Sequence, residues 1–418
     1  MRIGRYRFDA VEFSGSLGDL GTLVPLSVAL VTVNGLGFTQ VFLVVGLFYL
    51  ATGLYFNLPI PVQPLKVVAA IAIAFPEKIT LPVMSAAGLL FGVILLVLAL
   101  SGTIDWLSKV FTKPIVRGIQ LGLGFMLIMK GIEFIQKPGL FIDAGAGTVS
   151  IGGVPLNLVI GLVGVAIVLL FTSSSRFPAA LVIVGAGILV GIPFLPSSGF
   201  AWDVGPTAVQ LYAPSLADYI AALVLLVIPQ IPLTIGNAVI GTTDTARSLF
   251  GTGEATRRAN NRSFAISMGL ANVAAGALAA MPVCHGAGGL AAHYRFGART
   301  GGSNIMIGVL LAVLAIACGK VGVTLVSAIP NAVLGVLLLF AGLELATLLH
   351  DVDKKEDLFI ASFIAGIALA TTNMSVAFGA GIVAGYLVKW GNARQRQGSV
   401  KEDFGIRDQN IEQEAEDE

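Results

Sequence analysis

Apolar runs of about 17 to 25 residues follow one another along almost the whole chain, separated by short polar or Gly/Pro-rich links. A helix rises 1.5 Å per residue, so a run of that length crosses the ~30 Å hydrocarbon core of a bilayer. The pattern predicts about fourteen spans, centred near Leu23, Val45, Ala70, Leu95, Phe125, Val163, Val184, Leu226, Gly269, Leu290, Leu311, Leu338, Ile364 and Ala384. The third and tenth are truncated. "LPIPVQPLKVVAAIAIAF" (residues 58–75) and "MPVCHGAGGLAAHYRFGART" (residues 281–300) share a Pro-Val step, one or two polar residues, then small residues opening a helix. Irregular backbone at membrane depth is tolerated only where protein or a water-filled cavity satisfies its polar groups.

Composition agrees. With 56% hydrophobic and 12% charged residues and a mean hydropathy of +0.89, the chain cannot build a soluble globule with a polar skin, so its partner is the lipid bilayer. The net charge of +1 suggests no nucleic-acid partner. With the N-terminus placed inside, most Lys and Arg collect on the inner side, among them Arg5, Arg117, Arg257, Arg258, Arg299 and Lys355; only Lys66, Lys78, Lys130, Lys137 and Lys320 fall elsewhere. An even number of spans then puts both termini in the cytoplasm. No cleavage site follows Arg2, Arg5 and Arg7, so the first segment is expected to stay as a span. The acidic end, "EQEAEDE", is expected to be a disordered cytoplasmic tail over residues 392–418.

Two motif pairs recur. Gly18-Asp19 aligns with Gly236-Asn237, and Pro61-Val62 with Pro282-Val283, at nearly the same separation along the chain. Two homologous halves of seven spans each would insert with opposite orientation. The expected fold is therefore an all-α polytopic membrane protein, a 7+7 inverted repeat with spans 3 and 10 as short half-helices meeting near the midplane.

Such facing helix starts present unpaired backbone N–H groups and partial positive charge, which makes an anion site. Lys66 in the first turn of span 3 opposes its own helix dipole, which makes sense beside a negative ligand or carboxylate. Pro64 suits a first-turn position. Gln63 and His285 would add donors, and Gly286, Gly288 and Gly289 would let a ligand approach the backbone. Plainer roles stay open: Lys66 paired with Asp19, His285 as a core histidine, Glu12 solvated near the cytoplasmic surface, Lys130 with Glu133 as a helix-face pair, Glu344 structural, and most glycines serving helix packing. Cys284 and Cys318 have neither zinc-type spacing nor a disulfide framework, so no metal or cofactor is expected. No HExxH, GxSxG or GxxxxGK[ST] points to an enzyme.

"GSLGDLGTLVPLSVAL", "NLPIPVQPLKVVAAIAIAF", "PQIPLTIGNAVIGTTDTARSLF" and "MPVCHGAGGLAAHYRFGARTGGSN" together resemble the molybdate transporter family, a branch related to the sulfate permeases. The resemblance spans residue 8 to about residue 390. It implies a core domain over residues 8–112 and 215–320, a gate domain over 113–214 and 321–391, elevator-like movement of core against gate, a homodimer, and a place in the plasma membrane. Sulfate permeases carry a C-terminal cytoplasmic regulatory domain; similar molybdate transporters lack it, and this protein is expected to lack it too. The oxyanion would sit by Gln63, Lys66, His285, Gly286 and Gly288, with Asp19, Thr22, Gln230, Thr234 and Asn237 completing the wall. Asp19 or His285 would take a proton during the cycle. Molybdate is the expected substrate. Sulfate, tungstate, a nucleobase-type permease activity and an anion channel stay open as alternatives.

Overall fold

The computed structural model describes residues 1–391 except 105, 108–110, 143–148, 172–178, 195–202, 255 and 389. The expected acidic tail lies outside the described residues. Fifteen helices account for almost all the regular structure: α1 (Ala10–Ser16), α2 (Leu20–Asn34), α3 (Phe38–Phe56), α4 (Lys66–Ala74), α5 (Leu81–Ser101), α6 (Lys113–Gln136), α7 (Leu156–Phe171), α8 (Ala179–Gly191), α9 (Leu216–Phe250), α10 (Asn261–Ala277), α11 (Ala287–Arg295), α12 (Gly301–Ser327), α13 (Asn331–Thr347), α14 (Lys355–Thr371) and α15 (Met374–Val388). Each of the fourteen expected centres falls inside one of α2 to α15. Length is the difference from expectation. Among the described residues six helices are long and apolar enough to cross a bilayer, and a seventh span forms if α1 and α2, bent by 46°, count together. The others are too short alone, α4 and α11 having nine residues each.

The bend between α1 and α2 leaves Asp19 as the N-cap residue of α2. Helix α9 is irregular in its middle, where Pro229 and Pro232 lie in an α-helical stretch flanked by π-helical turns at Leu223–Val227 and Thr234–Gly241. Proline removes a backbone donor and crowds the preceding turn, so wider turns beside it follow.

Glycines set the helix pairs. Helices α3 and α12 run antiparallel, Gly46 against Gly308 and Gly53 against Gly301. Helices α5 and α10 meet likewise through Gly88 with Gly276 and Gly92 with Gly269. In α6 and α13, Gly124 faces Gly342 and Gly131 faces Gly335; a Cβ on either residue of these pairs would come within 2.5–2.6 Å of the partner's carbonyl oxygen. Small residues two turns apart let backbones touch where lipid offers no hydrophobic drive for association.

Two extended segments cross inside the bundle. Strand β1 (Gln63–Pro64) pairs antiparallel with β2 (Val283–Cys284), Gln63 opposite Cys284 and Pro64 opposite Val283. Their backbone groups are satisfied from neighbouring helices. Asn272 of α10 accepts from Val283 N at 2.9 Å and donates to its carbonyl at 2.7 Å, while Asn304 of α12 donates to Ile60 O at 2.6 Å. Buried Glu12 is a cap rather than a solvated carboxylate: it accepts from Arg299 N at 3.0 Å and from Thr300 N and Oγ1 at 2.5 Å, at the start of α12. The Lys130–Glu133 pair forms at 3.0 Å as expected.

Candidate functional site

The crossing of β1 and β2 aims α4 and α11 into the bundle, and a cavity of about 300 Å³ opens beside their first turns. Asp19, Gly21 and Thr22 come from the start of α2, Gln63 and Lys66 from β1 and α4, and Gly288, Gly289 and Ala292 from α11. Leu127 of α6 and Ala341, Glu344 and Leu345 of α13 close the opposite side.

The wall is ordered by one buried pair. Gln63 Nε2 donates to both Asp19 oxygens at 2.8 Å. The fit depends on glycine: a Cβ on Gly289 would stand 2.5 Å from Gln63 Nε2 and 2.7 Å from Asp19 Oδ2, and one on Gly286 would stand 2.5 Å from Gln63 Oε1. Gly288 is different, since a Cβ there would meet nothing within 4 Å. Its backbone faces open space.

Lys66 makes no ion pair among the described residues, all of whose pairs lie elsewhere. The alternative of a Lys66–Asp19 ion pair is not formed, although Lys66 acts electrostatically on both Asp19 and Glu344. A lysine held by no carboxylate, at the edge of a cavity, is available to a ligand. The N–H groups of Ala287, Gly288 and Gly289, the first three residues of α11, have no intrahelical acceptor, and no side chain among the described residues takes them. Ligand-ready donors and a cation therefore share one cavity.

Not every expected site residue lines it. The first turn of α4 is already capped: Gln230 Oε1 accepts from Val67 N at 2.9 Å and Val68 N at 3.4 Å, and its Nε2 donates to Thr234 Oγ1 at 2.9 Å. Gln230 and Thr234 thus stand behind α4 as its cap, and the helix end left with open backbone donors is that of α11. Pro64 lies in β1, not in the first turn. Gly286 lies beneath Gln63, and Asn237 sits in the π-helical part of α9, outside the cavity wall. His285 is fully buried away from the cavity, its Nδ1 2.9 Å from Pro61 O and its Nε2 2.8 Å from Ser267 Oγ, among Phe48, Phe56 and Phe264. No group of three or more metal-ligating side chains occurs among the described residues.

Glu344, for which a structural role was expected, also lines the cavity. It faces the cavity from α13 with its carboxylate free of hydrogen-bond and ion-pair partners among the described residues. An ionisable residue inside an apolar span was the available signal; what was missing was the fold that sets α13 across the cavity from α11.

A family model described as molybdate transporter of the MFS superfamily matches residues 11–127 and 222–345, which include every charged residue of the cavity. The chain belongs to the molybdate transporter family. Within that family it is similar to molybdate transporter 2 of Arabidopsis thaliana, 31% identical over 413 residues that cover 90% of this chain and 87% of the relative. Molybdate transporter 1 of Chlamydomonas reinhardtii is also 31% identical, covering 89% of this chain and 90% of the relative. The fold of this family member is that of integral membrane anion transporters. It is similar to the transmembrane domain of the cyanobacterial bicarbonate transporter BicA, with a TM-score of 0.60 at 16% identity over 90% of this chain and 96% of that one. The murine anion transporter Slc26a9 in its inward-facing state gives 0.66 at 16% identity, over 94% and 70%.

Proposed function

We propose that this chain carries molybdate across a membrane as a secondary transporter, binding the tetrahedral dianion between Lys66 and the open first turn of α11. The Lys66 ammonium carries the reading: a cation without an ion-pair partner among the described residues, in the same cavity as Gly288 and Gly289 with their unfilled backbone donors, in a chain whose relatives are named molybdate transporters. A dianion there gains charge-assisted hydrogen bonds and a helix dipole without any covalent step.

The seven-plus-seven inverted repeat belongs to this proposal, and the contacts support it. Gln63 pairs with Cys284, its equivalent in the second half. Exchanging the halves turns the α3–α12 pair into α10–α5 and returns α6–α13 to itself, and these are the pairs that glycines join. The moving core is then α1–α5 with α9–α12, and the gate is α6–α8 with α13–α15. The cavity draws walls from both groups, as an elevator needs. Cytoplasmic termini, the plasma membrane and a homodimer complete the proposal, the first supported by the inward Lys and Arg.

With Asp19 and Glu344 ionised, the empty cavity holds two negative charges against one positive, so a dianion enters more easily with a proton. Asp19 accepts from Gln63 Nε2 at both oxygens, an arrangement that suits its ionised form. His285 is engaged elsewhere. Glu344, free at the cavity wall, is the proposed proton carrier.

Counterflow tests the transport mode. Vesicles preloaded with unlabelled molybdate should accumulate labelled molybdate transiently; molybdate current without such accumulation would mean a channel.

A further inference from the structure

We infer a second site, for an anionic glycerophospholipid, on the outer side of the proposed core, sharing no lining residue with the transport cavity. Two adjoining depressions make it. The first is an apolar groove of about 460 Å³ between α3 and α10, walled by residues such as Val44, Phe48, Leu270 and Ala274. From Val44 to Phe56 it follows α3 for about 18 Å at 1.5 Å per residue, slightly more than half of a ~30 Å hydrocarbon core. That is the depth of one leaflet.

At Tyr55 and Phe56 the groove runs into the second depression, about 300 Å³, lined by Arg5, Arg257 and Arg258 with Asn57 and one carboxylate, Glu254. None of the three guanidinium groups forms an ion pair among the described residues. Arg5 donates to Leu54 O at 3.0 Å, and Arg258 donates to Tyr55 O at 2.9 Å and lies 5.3 Å from the Tyr55 ring centre. These contacts fix two cations at the end of α3. The Arg257 side chain makes no hydrogen bond among the described residues, so it is free to meet a ligand.

An apolar channel of one-leaflet depth, ended by three arginines and one glutamate, complements an acyl chain ending in a phosphodiester. Basic pockets between spans recognise anionic head groups in this way, at about fivefold in affinity per Lys or Arg. A zwitterionic head group would gain less, because its own cation meets the arginines. The site joins the N-terminal segment, the end of α3 and the α9–α10 link, all within the proposed core.

The test uses the full chain purified in detergent, with lipid binding followed by native mass spectrometry and thermal unfolding. Phosphatidylglycerol should bind at least fivefold more tightly than phosphatidylcholine and raise the unfolding temperature. Arg257→Gln, which breaks no side-chain hydrogen bond or ion pair among the described residues, should lose about fivefold for phosphatidylglycerol. Leu270→Trp, which fills the groove, should weaken both lipids. Equal binding of the two lipids, unchanged affinity in Arg257→Gln, or stabilisation by glycerol phosphate alone to the same extent would overturn the proposal, the last by assigning the pocket to a free phosphate. Lipid binding is read without molybdate, so failure here leaves the transport reading intact.

Discussion

Replacing Lys66 with Gln removes one charge while keeping a long polar side chain. Because Lys66 forms no ion pair among the described residues, no carboxylate there loses a bonded partner, and the unfolding temperature should change little. Binding should change much more. A unit charge pair at 4 Å interacts by about 4 kcal/mol at an effective dielectric near 20, and a dianion roughly doubles that gross attraction. Desolvation of both ions offsets most of it. Truncating one member of a close charge pair costs about 2–5 kcal/mol, and the solvent-open cavity favours the lower part of that range. A cost of about 2–3 kcal/mol is roughly a 30- to 150-fold loss of affinity. Titration calorimetry of molybdate into purified parent and Lys66→Gln proteins measures it directly. Affinity within threefold of the parent, in a variant that unfolds at the same temperature, would refute the placement of the anion beside Lys66.

Further outcomes follow from individual contacts. Gly289→Ala should abolish uptake by forcing Gln63 away from Asp19, whereas Gly288→Ala, whose Cβ enters open space, should fold normally and lose affinity only modestly, as uptake kinetics of the two will show. Gln230→Ala strands the buried N–H groups of Val67 and Val68 and should destabilise the protein by about 1–3 kcal/mol, read from thermal or denaturant unfolding. Glu344→Gln should flatten the stimulation of uptake by an inward proton gradient, while His285→Ala should lower the unfolding temperature and leave that pH response in place.

Helix positions were legible because membrane spans must satisfy their own backbone and therefore read as apolar runs; α3, α5 and α12 needed little else. Lys66, Asp19 and Gln63 stood out for the same reason, as polar groups that an apolar setting does not excuse. His285 misled because it adjoins the glycines of α11 yet extends from an extended segment, where successive side chains take opposite faces. Its ring goes to an aromatic cluster while Gly288 faces the cavity. The capping of α4 by Gln230 joins positions 163 and 162 residues apart, and no local pattern announces it. Glu344 was visible as an intramembrane carboxylate, but its neighbours Leu127 and Gly288 are neighbours only in the fold.

The central claim is that this cavity selects and moves molybdate. The most direct measurement is uptake of labelled molybdate into proteoliposomes holding the purified protein, with sulfate and tungstate as competitors under an imposed pH gradient. The account predicts saturable uptake that resists excess sulfate, rises with an inward proton gradient and is lost in Lys66→Gln. Robust sulfate uptake with none of molybdate, or molybdate uptake unchanged in Lys66→Gln, would contradict it.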